Sequence, residues 1–194
     1  MSTTSLSLLN HAVARDDSQS WNRLANLYQP LLRRWVTSFG IQYTDSEDLI
    51  QDVLATVYRE LPTFQHNERT GAFRKWLRAI LINRVRHFLR TRQNRPVATG
   101  KSSVLQQLQQ LSDDRSELSQ LWDHEHNAHV ISQLTTAVER RFERKTWMAF
   151  CRQVLDGVPP DEVAAELSMS LSSVYVAKSR VLSALRQEAE GLVD

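Results

Sequence analysis

Residues Gly71–Arg95 read GAFRKWLRAILINRVRHFLRTRQNR, and the rest of the chain is best understood outward from this stretch. At about 100° per residue, counted from Phe73, the side chains of Trp76, Leu77, Ile80, Leu81, Val85 and Phe88 fall on one broad face, as in an amphipathic helix. Asn83, Arg86, His87 and Arg90 project from the other side, joined by Lys75. Between Arg69 and Arg95 the chain carries nine Arg or Lys and no acid. A charge run is usually a solvated face. Here like charges with no neutralising acid repel one another, so an anionic partner is the better reading, and phosphate is the obvious one. Burying each apolar side chain of the inner face would contribute ~1.5–3 kcal/mol, so a domain holds this helix rather than its own propensity.

Upstream, residues 5–14 and 18–39 read as two helices. Leu24, Leu27, Leu31, Leu32 and Trp35 mark the buried stripe of the second, Pro30 kinks or restarts it, and Gly40 ends it. Thr44 and Glu47 have the spacing of a capping box at the start of a further helix, whose core side is Leu49, Ile50, Val53, Leu54, Val57 and Leu61. Pro62 stops it. Asp45, Glu47, Asp48 and Asp52 crowd its first turns; the helix dipole accounts for some of them. Asp48 and Asp52, flanking Gln51, leave an acidic surface suited to a basic partner. The polar loop 62–70 brings one aromatic, Phe64, to the start of the basic helix.

Downstream, Pro96–Ser103 has linker chemistry, and the Gln-rich stretch to Leu111 reads as a short amphipathic turn or a flexible tether. A domain boundary is expected between Arg95 and Ser116. Charge changes there as well. Residues 1–95 hold 14 basic and 8 acidic residues, whereas residues 102–138 hold one and five, so the chain's net charge of +2 conceals a segregation. The 194-residue chain has five Gly and five Pro and no period-two alternation, which predicts an all-α protein. Its apolar runs are too short for a membrane span, and Met1–Leu9 lacks the basic start of a signal peptide. The single cysteine, Cys151, excludes an intrachain disulfide and suits the cytoplasm. Its neighbours Trp147, Phe150 and Val154 predict a buried thiol.

The most specific local pattern lies near the C-terminus. A helix around 139–156 precedes a short one begun by Val158-Pro159-Pro160, with Val163, Ala164 and Leu167 inward. Ser168-Met169-Ser170 makes a tight turn, and a longer helix follows with Val174, Val181 and Leu185 inward and Ser170 as its N-cap. This is a helix-turn-helix. Ser172, Ser173, Val176, Ser179 and Arg180 lie on the outer face, where short hydroxyls and a cation fit a DNA major groove.

Taken together, these stretches resemble the bacterial RNA polymerase sigma factors of the extracytoplasmic-function subfamily. Asp45-Ser46-Glu47-Asp48-Leu49-Ile50-Gln51-Asp52-Val53 resembles the family's core-polymerase-binding signature. Phe73–Ile80, with Asn83 and Arg90, is similar to the downstream-element helix. Asp156-Gly157 through Leu185-Arg186 is similar to the upstream-element reader. The resemblance implies two small helical domains, 1–95 and 117–194, joined by a linker, 96–116. It implies docking on the β′ coiled coil of core RNA polymerase through Asp48, Leu49, Gln51 and Asp52, with β a further contact. It also implies minus-ten recognition and melting by Phe64, Lys75, Asn83, Arg86, His87 and Arg90, and minus-thirty-five recognition by Ser172, Ser173, Val176, Ser179 and Arg180. The family further implies a monomer, promoter DNA as ligand, no cofactor, and an anti-sigma partner that no residue here marks. His87 stands where the family often has an acid, and Ser168 where it often has glycine, which would cost about 1 kcal/mol in left-handed geometry.

Two other readings compete. A dimeric helix-turn-helix repressor would leave the basic helix unexplained, and a protein-only adaptor would show no salt-dependent DNA affinity. An enzyme is least expected, because no nucleophile–base pair or Gly-rich phosphate loop is evident. His124, His126 and His129 invite a metal, but a solvated helix start is the better reading. Trp122 has no explanation at this level.

Overall fold

The computed structural model describes residues 18–64, 71–91 and 100–189; the helix expected over 5–14 falls outside them. Those residues form eight α-helices and one 3-10 turn, with no strand among them. They divide into two compact units, 18–130 and 131–189.

In the first unit, α1 (Ser18–Ser38) runs unbroken through Pro30 and ends at Gly40, whose φ of 72° is the left-handed conformation that glycine adopts without strain. Helix α2 (Tyr43–Glu60) follows. Its expected apolar stripe, Leu49, Ile50, Val53, Leu54, Val57 and Leu61, is buried throughout. The capping box is not formed. The N-cap is Gln42, without a side-chain cap, because Glu47 is drawn to Arg33 of α1, whose Nε and Nη2 donate to its two oxygens at 2.6 and 2.8 Å. A bidentate guanidinium–carboxylate bond outcompetes a backbone amide. Pro62 diverts the chain into the 3-10 turn Leu61–Thr63.

Helix α3 (Ala72–Thr91) is the basic helix. It begins at Gly71, with φ +76°, where an added Cβ would lie 2.6 Å from Nη2 of Arg74. Phe73, Leu77, Ile80, Leu81 and Val85 are buried as expected, while Trp76 and Phe88 are only partly covered. Ile82 and Leu89, about 180° and 160° around the helix from Phe73, are buried too. A second surface therefore covers the far side of α3.

That surface comes from the Gln-rich stretch expected to be either a short amphipathic turn or a flexible tether. Residues 101–112 form α4 (Lys101–Ser112), which packs on α3 and buries Val104, Leu108 and Leu111. These three residues are spaced i, i+4, i+7, so burying them stabilises a helix that Gln-rich composition alone would not. The chain then enters α5 (Glu117–Glu139), and the division between the units falls at Val130/Ile131, inside this helix and not between Arg95 and Ser116. Trp122 is fully buried, edge-on to Trp35 at 5.2 Å between ring centroids. His126 is also fully buried, stacked on Tyr28 and sharing a 3.2 Å hydrogen bond with its hydroxyl. Burial pushes that hydroxyl well above the usual tyrosine range, against the opposing charge of Arg74. His129 Nε2 donates to the Leu27 carbonyl at 2.6 Å. Of the three histidines only His124 is the solvated residue expected, because the other two pin α5 to α1.

The second unit holds α6 (Arg144–Val154), α7 (Pro160–Leu167) and α8 (Leu171–Ala189). One core cluster joins Val138, Phe150, Val181 and Ala184, with Trp147 and Cys151 packed against it. A second joins Ala149, Val163, Val174 and Ala177, with Ala164 and Leu167 at its edge. Val154, expected inside, is exposed, because α6 ends there and the chain turns away. Burial raises the Cys151 thiol above its usual value, with Glu139 and Asp156 adding to the shift.

Candidate nucleic-acid interfaces

On α3, Asn83, His87 and Arg90 are exposed and Arg86 is half-exposed. With Arg84 and Leu105 they line a groove of about 490 Å³, and none of its lining residues among those described is acidic. Successive helical turns place these side chains in a row, so cations and an amide face one strip of solvent.

The N-terminal half of α3 is different. Arg74 and Arg78 are buried and engaged by carboxylates from outside the helix. Arg74 Nε lies 2.9 Å from Asp123 Oδ1 and its Nη1 donates to Asn127 Oδ1 at 2.9 Å. Arg78 pairs with Asp114 and has Asp123 at 3.7 Å. Lys75 Nζ donates to Asp114 Oδ2 at 2.8 Å. The acid-free helix is thus neutralised over its first two turns by residues 114–127. Of the nine cations, Arg69, Arg92 and Arg95 lie outside the described residues.

Phe64 packs against Phe73, edge-on at 5.8 Å, and against Trp76 at 4.7 Å. This fixes its position at the start of α3; residues 65–70 of the loop are outside the described residues.

On α2, Asp48, Gln51 and Asp52 face solvent. Leu49 does not. At 2 % exposure it is a core residue, and the apolar stripe rather than the outer surface claims it. Tyr43 and Tyr58 are exposed on the same helix and were not singled out from sequence.

In the second unit, Ser168 adopts φ 50°, ψ 53°, the left-handed geometry expected of the turn. The Met169 amide donates to the Ala164 carbonyl at 2.9 Å, closing the end of α7. Ser170 caps α8: its Oγ accepts from the Ser173 amide at 3.1 Å and also bonds the Ser172 and Ser173 hydroxyls, at 2.9 and 2.7 Å. Ser172, Ser173, Val176, Ser179 and Arg180 all lie on the exposed face of α8, and Val176 is 54 % exposed. Arg180 also reaches over the Phe142 ring, 5.8 Å from its centroid. Exposed Tyr175 extends this face and went unnoticed in the sequence.

Residues 24–95 match the family described as sigma-70 region 2. Over that stretch the chain is similar to sigma-70 region 2 domains. Across 96 residues it is 27 % identical to the RNA polymerase sigma factor NccH of Alcaligenes xylosoxydans xylosoxydans, a match covering 50 % of each protein. The chain thus spans about half the length of that curated relative. Among solved structures it is similar to CnrH, from a structure of CnrH in complex with the cytosolic domain of CnrY. That likeness has 18 % identity, covers 94 % of this chain and 95 % of the other, and has a TM-score of 0.39.

The match to the sigma-70 region 2 domain takes in α1, α2 and α3 and stops before α4. Helix α4 and the first half of α5 nevertheless complete its packing, through Leu108, Leu111 and Trp122. No described helix is long and apolar enough to cross a membrane.

Proposed function

We propose that the chain is an alternative sigma factor, which joins core RNA polymerase and directs promoter-specific initiation in a bacterial cytoplasm. The observation that carries this reading is the groove of Asn83, Arg86, His87 and Arg90, with no acid among its described lining residues, on a helix within the stretch similar to sigma-70 region 2. Arg86 and Arg90 would hold the phosphates of the minus-ten strand, with Asn83 and His87 toward its bases. Cations along a strand give salt-dependent affinity, and holding unstacked bases offsets a melting cost of a few kcal/mol.

Asp48, Gln51 and Asp52 would face the β′ coiled coil of the polymerase, with Leu49 supporting them from beneath. The hydroxyls of Ser172, Ser173 and Ser179, with Val176 and Arg180, would read the minus-thirty-five element from α8. Residues 18–130 then form the polymerase and minus-ten unit, and residues 131–189 the upstream reader. Bond-making is left to the polymerase.

The test is reconstitution. Purified chain added to sigma-free core polymerase should yield transcripts from defined sites in genomic DNA, and the Arg86→Ala/Arg90→Ala protein should lose open complexes while still joining the polymerase. A dimer that binds a palindrome tightly and ignores core polymerase would establish a repressor instead.

A further inference from the structure

Lys75 and Arg78 lie one turn apart on α3 and reach the same carboxylate. Lys75 Nζ donates to Asp114 Oδ2 at 2.8 Å, and Arg78 Nη2 donates to Asp114 Oδ1. The Arg78 side chain is 5 % exposed beneath this contact, while Asp114 itself is 56 % exposed. Two cations gripping the two oxygens of one anion form the arrangement in which basic side chains hold phosphate.

Asp114 belongs to the short connection between α4 and α5. Arg86, in the groove described above, donates to Ser112 Oγ at the end of α4, 3.0 Å away. One end of one helix therefore meets three cations of the α3 face. The connection also carries bonds of its own: the Arg115 amide donates to Asp113 Oδ1 at 3.0 Å, and Ser116 Oγ donates to the Gln110 carbonyl at 2.6 Å. Those bonds would survive if the turn moved off α3 as a unit. The bond from Lys75, with Arg78 adding to it, holds the Asp114 carboxyl below the usual carboxylate range, so it is an anion at neutral pH. The Lys75–Asp114 pair, about half exposed on both sides, is weak and screened by salt, and a polyanion can compete for it.

We propose that Lys75 and Arg78 form a phosphate seat for promoter DNA, filled in the free chain by the Asp114 carboxylate, and that the α4–α5 turn is a cover which the entering strand displaces. This rests on the reading that α3 binds DNA. It adds Arg78 beside Lys75 as a phosphate contact at the paired half of the helix, and a competitor built into the same chain. Arg74 is excluded from the seat, because Asp123 and Asn127 hold it inside the unit.

The full-length chain should be titrated with fluorescein-labelled single-stranded DNA at several salt concentrations. Asp114→Asn should bind about three- to tenfold tighter, with a log–log salt slope steeper by ~0.7 for the one phosphate gained. Asp113→Asn, the same charge change one residue away, should match the unaltered chain. Lys75→Gln should weaken binding more in the Asp114→Asn background than in the unaltered chain, where its loss also releases the competing carboxylate, a coupling that a merely structural Asp114 would not show. Carbodiimide labelling of the unaltered chain needs no variant: Asp114 should become more reactive when DNA is added.

Equal affinities and slopes for Asp114→Asn and Asp113→Asn, or Asp114 labelling unmoved by DNA, overturn the seat. If Arg90→Ala still weakens binding in that case, the seat alone is wrong. If Arg90→Ala changes nothing in any background, the promoter reading itself has failed.

Discussion

The indole of Trp122 on α5 meets that of Trp35 on α1 edge to face, with ring centroids 5.2 Å apart. Both are buried, so the start of α5 belongs to the core of the first unit. Trp122→Ala should destabilise that unit by about 3–5 kcal/mol, the cost of emptying a large core site. Chemical denaturation followed by circular dichroism reads this directly. A loss under about 1 kcal/mol, the range of surface substitutions, would mean that the helix is not part of the core.

Neighbouring residues of α2 should separate by readout. Leu49→Ala should cost about 2–5 kcal/mol of stability, as a core truncation does. Asp52→Arg, on the exposed side, should shift stability by only about 0.5 kcal/mol while abolishing co-purification with core polymerase. Unaltered co-purification of the Asp52→Arg protein would remove the docking role.

Ser168 holds a backbone conformation, φ 50°, that costs a residue with a Cβ. Ser168→Gly relieves that cost and loosens the unfolded chain, leaving a net gain of about 0.5–1 kcal/mol. Ser168→Val should lose more than this, since β-branching disfavours left-handed geometry. Denaturation followed by the fluorescence of Trp147, in the same unit, tests both.

The Arg33 guanidinium, by hydrogen bonding first and charge second, holds the Glu47 carboxyl below its ordinary value of 4.5. A carboxyl whose folded pKa is depressed stabilises above its unfolded value, and that stability is lost as pH falls through the folded one. The stability difference between the unaltered chain and Glu47→Gln should therefore be full at pH 7 and shrink steadily below about pH 4.5. A difference that stays constant into acid would show that the pair contributes nothing through charge.

Much of this fold could be read from residue spacing, and the parts that could not have physical causes. Helix α2 and the helix-turn-helix show one apolar stripe each, so periodicity found them. Helix α3 has two buried faces, and Ile82 and Leu89 were lost among the cations of the second. Helix α5 buries Ser119, Trp122, His126, Val130, Leu134 and Val138 at spacings of three and four, but a serine and a histidine within the stripe hide it from a hydropathy pattern. The glutamines of α4 left its sequence open between a short amphipathic turn and a tether, and hid its full length. The acidic balance of residues 102–138 was plain in the sequence, but only the fold could show that Asp114 and Asp123 meet Lys75, Arg74 and Arg78. Leu49 was carried to the surface by resemblance to a motif, although its own spacing with Ile50 and Val53 marked it as core.

Gly71 is where the Arg74 arrangement is most exposed to chance. The space its missing side chain leaves open is already taken by a guanidinium, since a methyl group there would come within 2.6 Å of Nη2. A change as small as Gly71→Ala therefore acts at a distance. It would press on an arginine three residues later and, through Asp123 and Asn127, loosen a helix that begins more than forty residues further along the chain.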